Sequence, residues 1–399
     1  MIELHSKSLQ RTIKIDRVIG RYQGNTKGPT LIFMGGVHGN EPSGVFALQS
    51  VLDELRESDT PFNGVLYAIG GNLTALRKGV RYTEVDLNRI WTKDTIKEMN
   101  GHDLLEENED KLEQIEIHKT INTILDTEEG PFYFFDLHTT SGESCPFLTV
   151  NDSLLNRRFT KQYPVPIVLG IEEYLIGPLL SYINEMGYVA FGFEGGQHDS
   201  PLAYKNHKSF IYLSLLYAGC YSETNPTISE HHQWLVTNCK VPKRFFEIIY
   251  HYHIKDHEKF KMIPGYVNFQ RIQKNEELAM NTTHEIYAPK AGKIFMPLYQ
   301  GIGEDGFFII RKIPNVFLGL SAVLRKTYFD RILVLLPGIS WGSNKREELV
   351  VNLKVARFFT KKFFHLLGYR SKQIDKTHLR MKNREAASRT KDYEGEDWM

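Results

Sequence analysis

Two side chains three residues apart, His38 and Glu41, sit in the Gly-rich stretch Gly35-Gly36-Val37-His38-Gly39-Asn40-Glu41-Pro42. An imidazole nitrogen and a carboxylate oxygen are both ligands that suit zinc. The pair follows the apolar run Leu31–Met34, which reads as a buried strand. It precedes Ser43–Glu57, where Val45, Leu48, Val51, Leu52 and Leu55 recur at helical spacing. A turn between strand and helix can aim both side chains at one cation. Alone, a His-x-x-Glu pair is weakly specific, because many solvated loops contain one by chance. A third ligand candidate, His138, raises it: this histidine follows Tyr133–Leu137 as His38 follows Leu31–Met34. Glu194 likewise ends the run Val189–Phe193. In open α/β sheets ligands bind outside the carboxyl ends of the strands, so these groups can meet at one sheet edge.

The segment Arg81-Tyr82-Thr83-Glu84-Val85-Asp86-Leu87-Asn88-Arg89 adds donors. A guanidinium fork matches a carboxylate with two parallel bonds or polarises a carbonyl; composition alone would make the same segment a solvated, charged loop. Asp136 precedes His138 by two residues and reads as a salt-bridge or supporting group rather than a metal ligand. His198 reads as loop or rim. His231-His232 and His251-x-His253 have no carboxylate partner at useful spacing and read as surface or packing histidines, so no second metal is expected.

The elements that must position these groups alternate between strand and helix. Leu31–Met34, Val65–Ile69, Tyr133–Leu137, Phe147–Val150, Ile167–Gly170 and Tyr188–Phe193 are strand-like, and Lys93–Leu125 carries apolar residues at helical intervals. This pattern predicts an α/β fold: a mixed, largely parallel sheet covered by helices, with a smaller β-rich C-terminal domain. The expected division is a catalytic domain over 1–225, a β-rich second domain over 226–320, a helical extension over 321–369 with a helix near Lys345–Leu367, and a disordered basic tail over 370–399.

At 399 residues the chain can bury a large core, and 41% hydrophobic with 24% charged residues is the balance of an ordinary globular protein. The 49 Lys and Arg nearly cancel the 48 Asp and Glu, which argues against a nucleic-acid or anionic-membrane partner. No apolar run is long enough to span a bilayer. Cys145, Cys220 and Cys239 are too scattered for a disulfide framework, and the start lacks a signal-peptide pattern. The expected location is the cytoplasm; homo-oligomerisation is left open.

Gly-x-His-Gly-Asn-Glu, Asp86-Leu87-Asn88-Arg89, Asp136-Leu137-His138-Thr139-Thr140 and Phe193-Glu194-Gly195-Gly196, in this order, resemble the aspartoacylase/succinylglutamate desuccinylase family of zinc carboxypeptidase-like hydrolases. The resemblance extends to about Phe308 through Ala288–Gly292 and Met296–Tyr299. It implies one zinc ion per chain on His38, Glu41 and His138, with Glu194 as general base and Arg81 polarising the scissile carbonyl. Asn88 and Arg89 would bind the carboxylate next to the amide.

The implied activity is a zinc-dependent amidohydrolase that deacylates a small-molecule N-acyl amino acid or related amide, cutting a carbon–nitrogen bond other than a peptide bond. The alternatives are a carboxypeptidase-like peptidase and a non-catalytic binding module. Two departures bear on the substrate. Asn184 stands where aspartoacylase is expected to carry a further arginine, and Phe307 stands near the position of a substrate-binding tyrosine. Both argue against N-acetylaspartate.

Overall fold

The structure is a computed structural model that describes residues 1–100, 108–198, 200–222, 226–255, 259–327, 333–342, 348–355, 361–373 and 377–399. Its first strands are β1 (Ile2–Ser6), β2 (Arg11–Ile15), β3 (Val18–Gln23), β4 (Thr26–Gly35), β5 (Asn63–Gly70), β6 (Phe132–Thr140), β7 (Phe147–Val150), β8 (Ile167–Leu169) and β9 (Val189–Gln197). Between and after them run α1 (Ser43–Glu57), α2 (Leu73–Lys78), α3 (Lys93–Asn100), α4 (Glu109–Thr127), α5 (Leu154–Thr160), α6 (Leu179–Glu185), α7 (Pro201–Tyr217) and α8 (Pro226–Asn238).

Further along come β10 (Phe245–His253), β11 (Lys261–Met262), β12 (Arg271–Ile272), β13 (Glu277–Met280), β14 (Glu285–Tyr287), β15 (Gly292–Phe295) and β16 (Asp305–Lys312). The last elements are α9 (Asn315–Lys326), β17 (Ile339–Trp341), β18 (Glu348–Asn352), α10 (Lys361–Leu366), β19 (Tyr369–Gln373) and β20 (His378–Asn383).

One eleven-stranded sheet, in the order β12-β15-β16-β10-β8-β7-β9-β6-β4-β5-β3, organises the molecule. Its centre is parallel: β4 pairs with β5 and β6, and β6 with β9. Strands covered on both faces need no polar alternation, which is why all nine residues of β6 are buried. On one face Leu48, Val51, Leu52 and Leu55 of α1 and Phe210 and Leu213 of α7 pack with Phe33, Phe135 and Phe191; on the other, Ile117, Ile121 and Ile124 of α4 meet Ile32 and Phe134. The fold is the expected mixed α/β architecture. The sheet does not stop where the first region was expected to end, because β10 pairs parallel with β8 and carries it on into β16, β15 and β12.

The C-terminal part departs from expectation. The segment 321–369, read as a helical extension, holds the end of α9 and all of α10, but also β17 and β18 of a four-stranded antiparallel sheet. Residues 345–347 and 356–360 of the expected Lys345–Leu367 helix lie outside the described residues. Between them Glu348–Asn352 is a strand, because Leu349 and Val351 alternate into the core, a period of two. The tail over 370–399 is not a free basic end. Leu379 and Met381 of β20 are buried, and Tyr393 is completely so. The Tyr393 hydroxyl donates to the Phe132 carbonyl and accepts the Val189 amide at 2.9 Å; the Trp398 indole donates to the Tyr133 hydroxyl at 3.1 Å. A few large aromatics bury enough surface to order a segment whose average composition is polar.

Candidate active site

β4 ends at Gly35, and the turn that follows places His38 and Glu41 at the entrance of α1. Gly39 is required there: a Cβ would lie 2.1 Å from the Ala75 carbonyl carbon. The Gly39 amide donates to the Arg81 carbonyl at 3.1 Å, which joins this turn to the Arg81–Arg89 loop. β6 delivers His138, and β9, paired alongside it, places Glu194 opposite His138 in register. His38, Glu41, His138 and Glu194 are all at most 7% exposed.

The three ligand candidates come together, each offering a ligand atom within 4.8 Å of the others. His38 Nδ1 lies 3.1 Å from Glu41 Oε1, and His138 Nδ1 lies 3.2 Å from Glu41 Oε2. Each ring turns its other nitrogen outward to a carboxylate, His38 Nε2 to Asp86 at 3.2 Å and His138 Nε2 to Asp136 at 2.7 Å. A carboxylate behind an imidazole fixes the ring and raises its basicity, the usual support of a histidine that holds a metal. Asp136 therefore supports His138, as its position two residues away suggested.

The electrostatics draw positive charge to this point. Burial opposes ionisation of Glu41, yet His38 and His138 hold its carboxyl well below the usual range. Burial also opposes charge on His138, but Asp136 and then Glu41 push its pKa well above the ordinary value. Two nitrogens and a carboxylate, backed by two further carboxylates, fit a divalent metal.

Glu194 is the exception. Its Oε2 is buried with no hydrogen-bond partner, and its pKa is pushed up to about 8. Burial is the largest cause, with Glu41 and Asp136 adding to it. The next residue, Gly195, leaves room for His207, whose ring would lie 2.6 Å from a Cβ there. His207 was not singled out in the sequence; buried and facing the His138 carbonyl at 3.0 Å and Ser43 Oγ at 3.1 Å, it supports the strand that carries His138.

A cavity of about 350 Å³ opens beside the cluster. Its wall includes Glu41, Arg81, Asp86, Arg89, Thr139 and His198, and Met296, Pro297, Leu298, Gln300, Asp305 and Phe308 close it from the β-rich region. Arg81 binds Asp86 through Nε and Nη2 at 3.2 and 3.0 Å, and its Nη1 lies 3.7 Å from Glu41. Arg89 reaches Asp305 at 2.7 Å. His198, read as rim, does line the cavity, bonded to Thr139 at 2.6 Å and to Gln300 at 3.3 Å.

Four expectations need correction. Asn88 forms no part of the cavity wall; its side-chain oxygen accepts the Leu179 amide at 2.9 Å, at the start of α6. Asn184 lies elsewhere, bonded to Asn156 and to the Tyr188 and Ala190 carbonyls, so its identity says nothing about the substrate. Phe307 is wholly buried in the core of the β-rich region, and its neighbour Phe308 faces the cavity, because successive residues of a strand point to opposite faces. His251 does have a carboxylate partner, Asp305 at 2.7 Å, supplied from 54 residues away.

The family model "Succinylglutamate desuccinylase/Aspartoacylase catalytic domain" matches residues 27–205. Residues 27–205 are thus similar to the catalytic domain of this family. A succinylglutamate desuccinylase of Pseudomonas fluorescens (strain Pf0-1) is 26% identical over 112 residues, 28% of this chain. The match spans 31% of that relative's length. Among solved structures, a succinylglutamate desuccinylase from Vibrio parahaemolyticus aligns with a TM-score of 0.53 at 14% identity, covering 76% of this chain and 85% of its own. A succinylglutamate desuccinylase/aspartoacylase from Rhodobacter sphaeroides aligns with 0.54 at 17%, covering 76% and 98%. At such identities these structures show a shared fold, which includes much of the chain beyond the matched catalytic segment. No helix among the described residues is long and apolar enough to cross a membrane.

Proposed function

We propose that this protein is a zinc-dependent deacylase that hydrolyses the amide bond of an N-acyl amino acid or a related small amide. The observation that carries the reading is the convergence of His38 Nδ1 and His138 Nδ1 on Glu41, beside the buried, unpartnered Oε2 of Glu194. His38, Glu41 and His138 would hold the zinc ion, whose Lewis acidity polarises an amide carbonyl and acidifies water.

Glu194 takes a proton from the attacking water and returns it to the departing amine nitrogen. Burial with an unpartnered oxygen raises its proton affinity above that of an ordinary carboxylate, so the group can both take a proton and return one. Arg81, fixed by Asp86 through two nitrogens, keeps Nη1 to hold the carbonyl oxygen as negative charge grows on it. The need for a base and an oxyanion donor argues against a binding module. The small cavity, closed by residues 296–308, favours a small amide over a peptide. The near-neutral charge and free cysteines agree with a cytoplasmic enzyme acting on a small molecule.

The test is metal analysis together with hydrolysis. About one zinc per chain is expected, with turnover of N-acyl amino acids lost on chelation and restored by zinc. Full hydrolysis by the metal-free protein, or cleavage of short peptides in preference to every N-acyl amino acid supplied, would overturn it.

A further inference from the structure

A second cavity, of about 70 Å³, lies where α6 and the residues around Asp152 and Glu172 meet β19 and β20. One ordered water needs about 10–15 Å³ of such space, so several non-hydrogen atoms fit. It shares no lining residue with the active-site cavity. The charged groups in its wall are Asp152, Glu172, Glu185, Arg370, Lys382 and Arg384. Most of them are matched to one another. Lys382 holds Glu185 at 3.0 Å, and Arg384 reaches Asp152 at 3.1 Å and Glu172 Oε1 at 3.0 Å.

Two charged groups are left over. Glu172 is 3% exposed, and its Oε2 is buried with no hydrogen-bond partner. Burial raises its pKa, although Arg384 and Arg370 oppose the shift. The Arg370 side chain makes no hydrogen bond or ion pair among the described residues, and it meets Glu172 and Glu173 only as a nearby charge. Ser181 adds a third unused group. Its Oγ accepts the Asn151 side-chain amide at 3.1 Å and keeps its own proton to donate.

A simple anion drawn to Arg370 would press against Glu172 and Glu185, and a simple cation drawn to Glu172 would leave Arg370 uncompensated. A ligand carrying both charges on one carbon answers both groups at once. Its carboxylate takes the Arg370 fork with the Ser181 hydroxyl beside it, and its ammonium donates to Glu172 Oε2. Arg384, next to that oxygen, is also matched by Asp152 and Glu173, so the ammonium faces no uncompensated cation. We propose that this crevice is a second ligand site, which takes a small α-amino acid as its zwitterion between Glu172 and Arg370. The volume limits the ligand's side chain to a few atoms. Occupancy ties the catalytic region to the C-terminal sheet, since Glu172 belongs to one and Arg370 to the other. The site stands independently of the deacylase reading.

Calorimetry on the full chain with glycine and L-alanine tests this, with acetate and methylamine as probes that carry only one of the two charges. Arg370→Met should weaken glycine binding by about 10-fold or more, the worth of one charge-assisted hydrogen bond. Acetate and methylamine should bind the wild type more weakly than glycine by at least as much. Glu172→Gln, which keeps the shape of the side chain, should act like Arg370→Met. Glycine should also raise the melting temperature of the wild type and not that of Arg370→Met. A wild type that binds neither amino acid, glycine binding equal in wild type and Arg370→Met, or acetate binding as tightly as glycine overturns the proposal. Hydrolysis of N-acyl amino acids should be unchanged in Arg370→Met. Its absence from the wild type would sink the deacylase reading and leave the amino-acid site standing.

Discussion

The active-site corner and the C-terminal anchor each bury carboxylates, and the two treat them differently. Asp152, between β7 and α5, receives three guanidiniums: Arg157 at 2.9 Å, Arg325 at 2.8 Å and Arg384 at 3.1 Å. Burial opposes its charge, but the three arginines hold its carboxyl well below the usual range. Glu194 is as buried, yet its Oε2 has no partner and its pKa is driven up. A carboxylate matched by fixed cations is a structural tie whose proton affinity is spent. One left unmatched in a dry site keeps a proton affinity near neutral pH, where it can accept and release a proton. The same residue type thus builds a clamp in one region and a base in the other.

Substitutions should separate the two. The largest effect is expected for Glu194→Gln: hydrolysis falls by about 10²- to 10⁴-fold while metal content and melting temperature are retained. A variant that kept the wild-type rate would remove Glu194 from the mechanism. For Arg325→Ala the expectation reverses. Arg325 is a fully buried side chain paired with Asp152 and Glu385, so its loss should cost about 3–5 kcal/mol in urea unfolding, with the rate per folded molecule unchanged. An Arg325→Ala protein of wild-type stability would mean that the C-terminal module is not clamped by this network.

A smaller effect tests His207, which lies beneath the active site but is built for support. Burial pushes its pKa down to about 4. An unfolded imidazole takes a proton near 6.5, so the unfolded state gains as pH falls between these values. The contribution is complete above pH 6.5 and is lost towards pH 4. Between pH 7 and pH 5 it amounts to about 2 kcal/mol. His207→Gln should flatten the pH dependence of the urea midpoint by that amount; an unchanged slope would show that His207 is not held neutral.

The site was legible in the chain to an unequal degree. His38, Glu41, His138 and Glu194 could be read because each follows a strongly apolar strand, and strand ends of a parallel sheet share one edge. Arg81 and Arg89 could be read as donors, but not what they face. The tail was misread because charge and low average hydrophobicity signal disorder only when no partner surface supplies matching charge. Glu172, Glu173 and Asp152 supply it to Arg384. Tyr393 and Trp398 then anchor the end against Tyr133, a contact between residues more than 250 positions apart.

The order of residues by itself determined the alternation of strand and helix and the delivery of two imidazoles and two carboxylates to one sheet edge. These depend on local patterning, apolar runs ended by polar groups, which tertiary contacts reinforce. Only the tertiary structure decided that Asp305 closes on Arg89 across 216 residues and that Asn88 and Asn184 turn away from the cavity. Long-range pairing depends on which strands become neighbours, here β10 with β16, and no spacing within the chain encodes that neighbourhood.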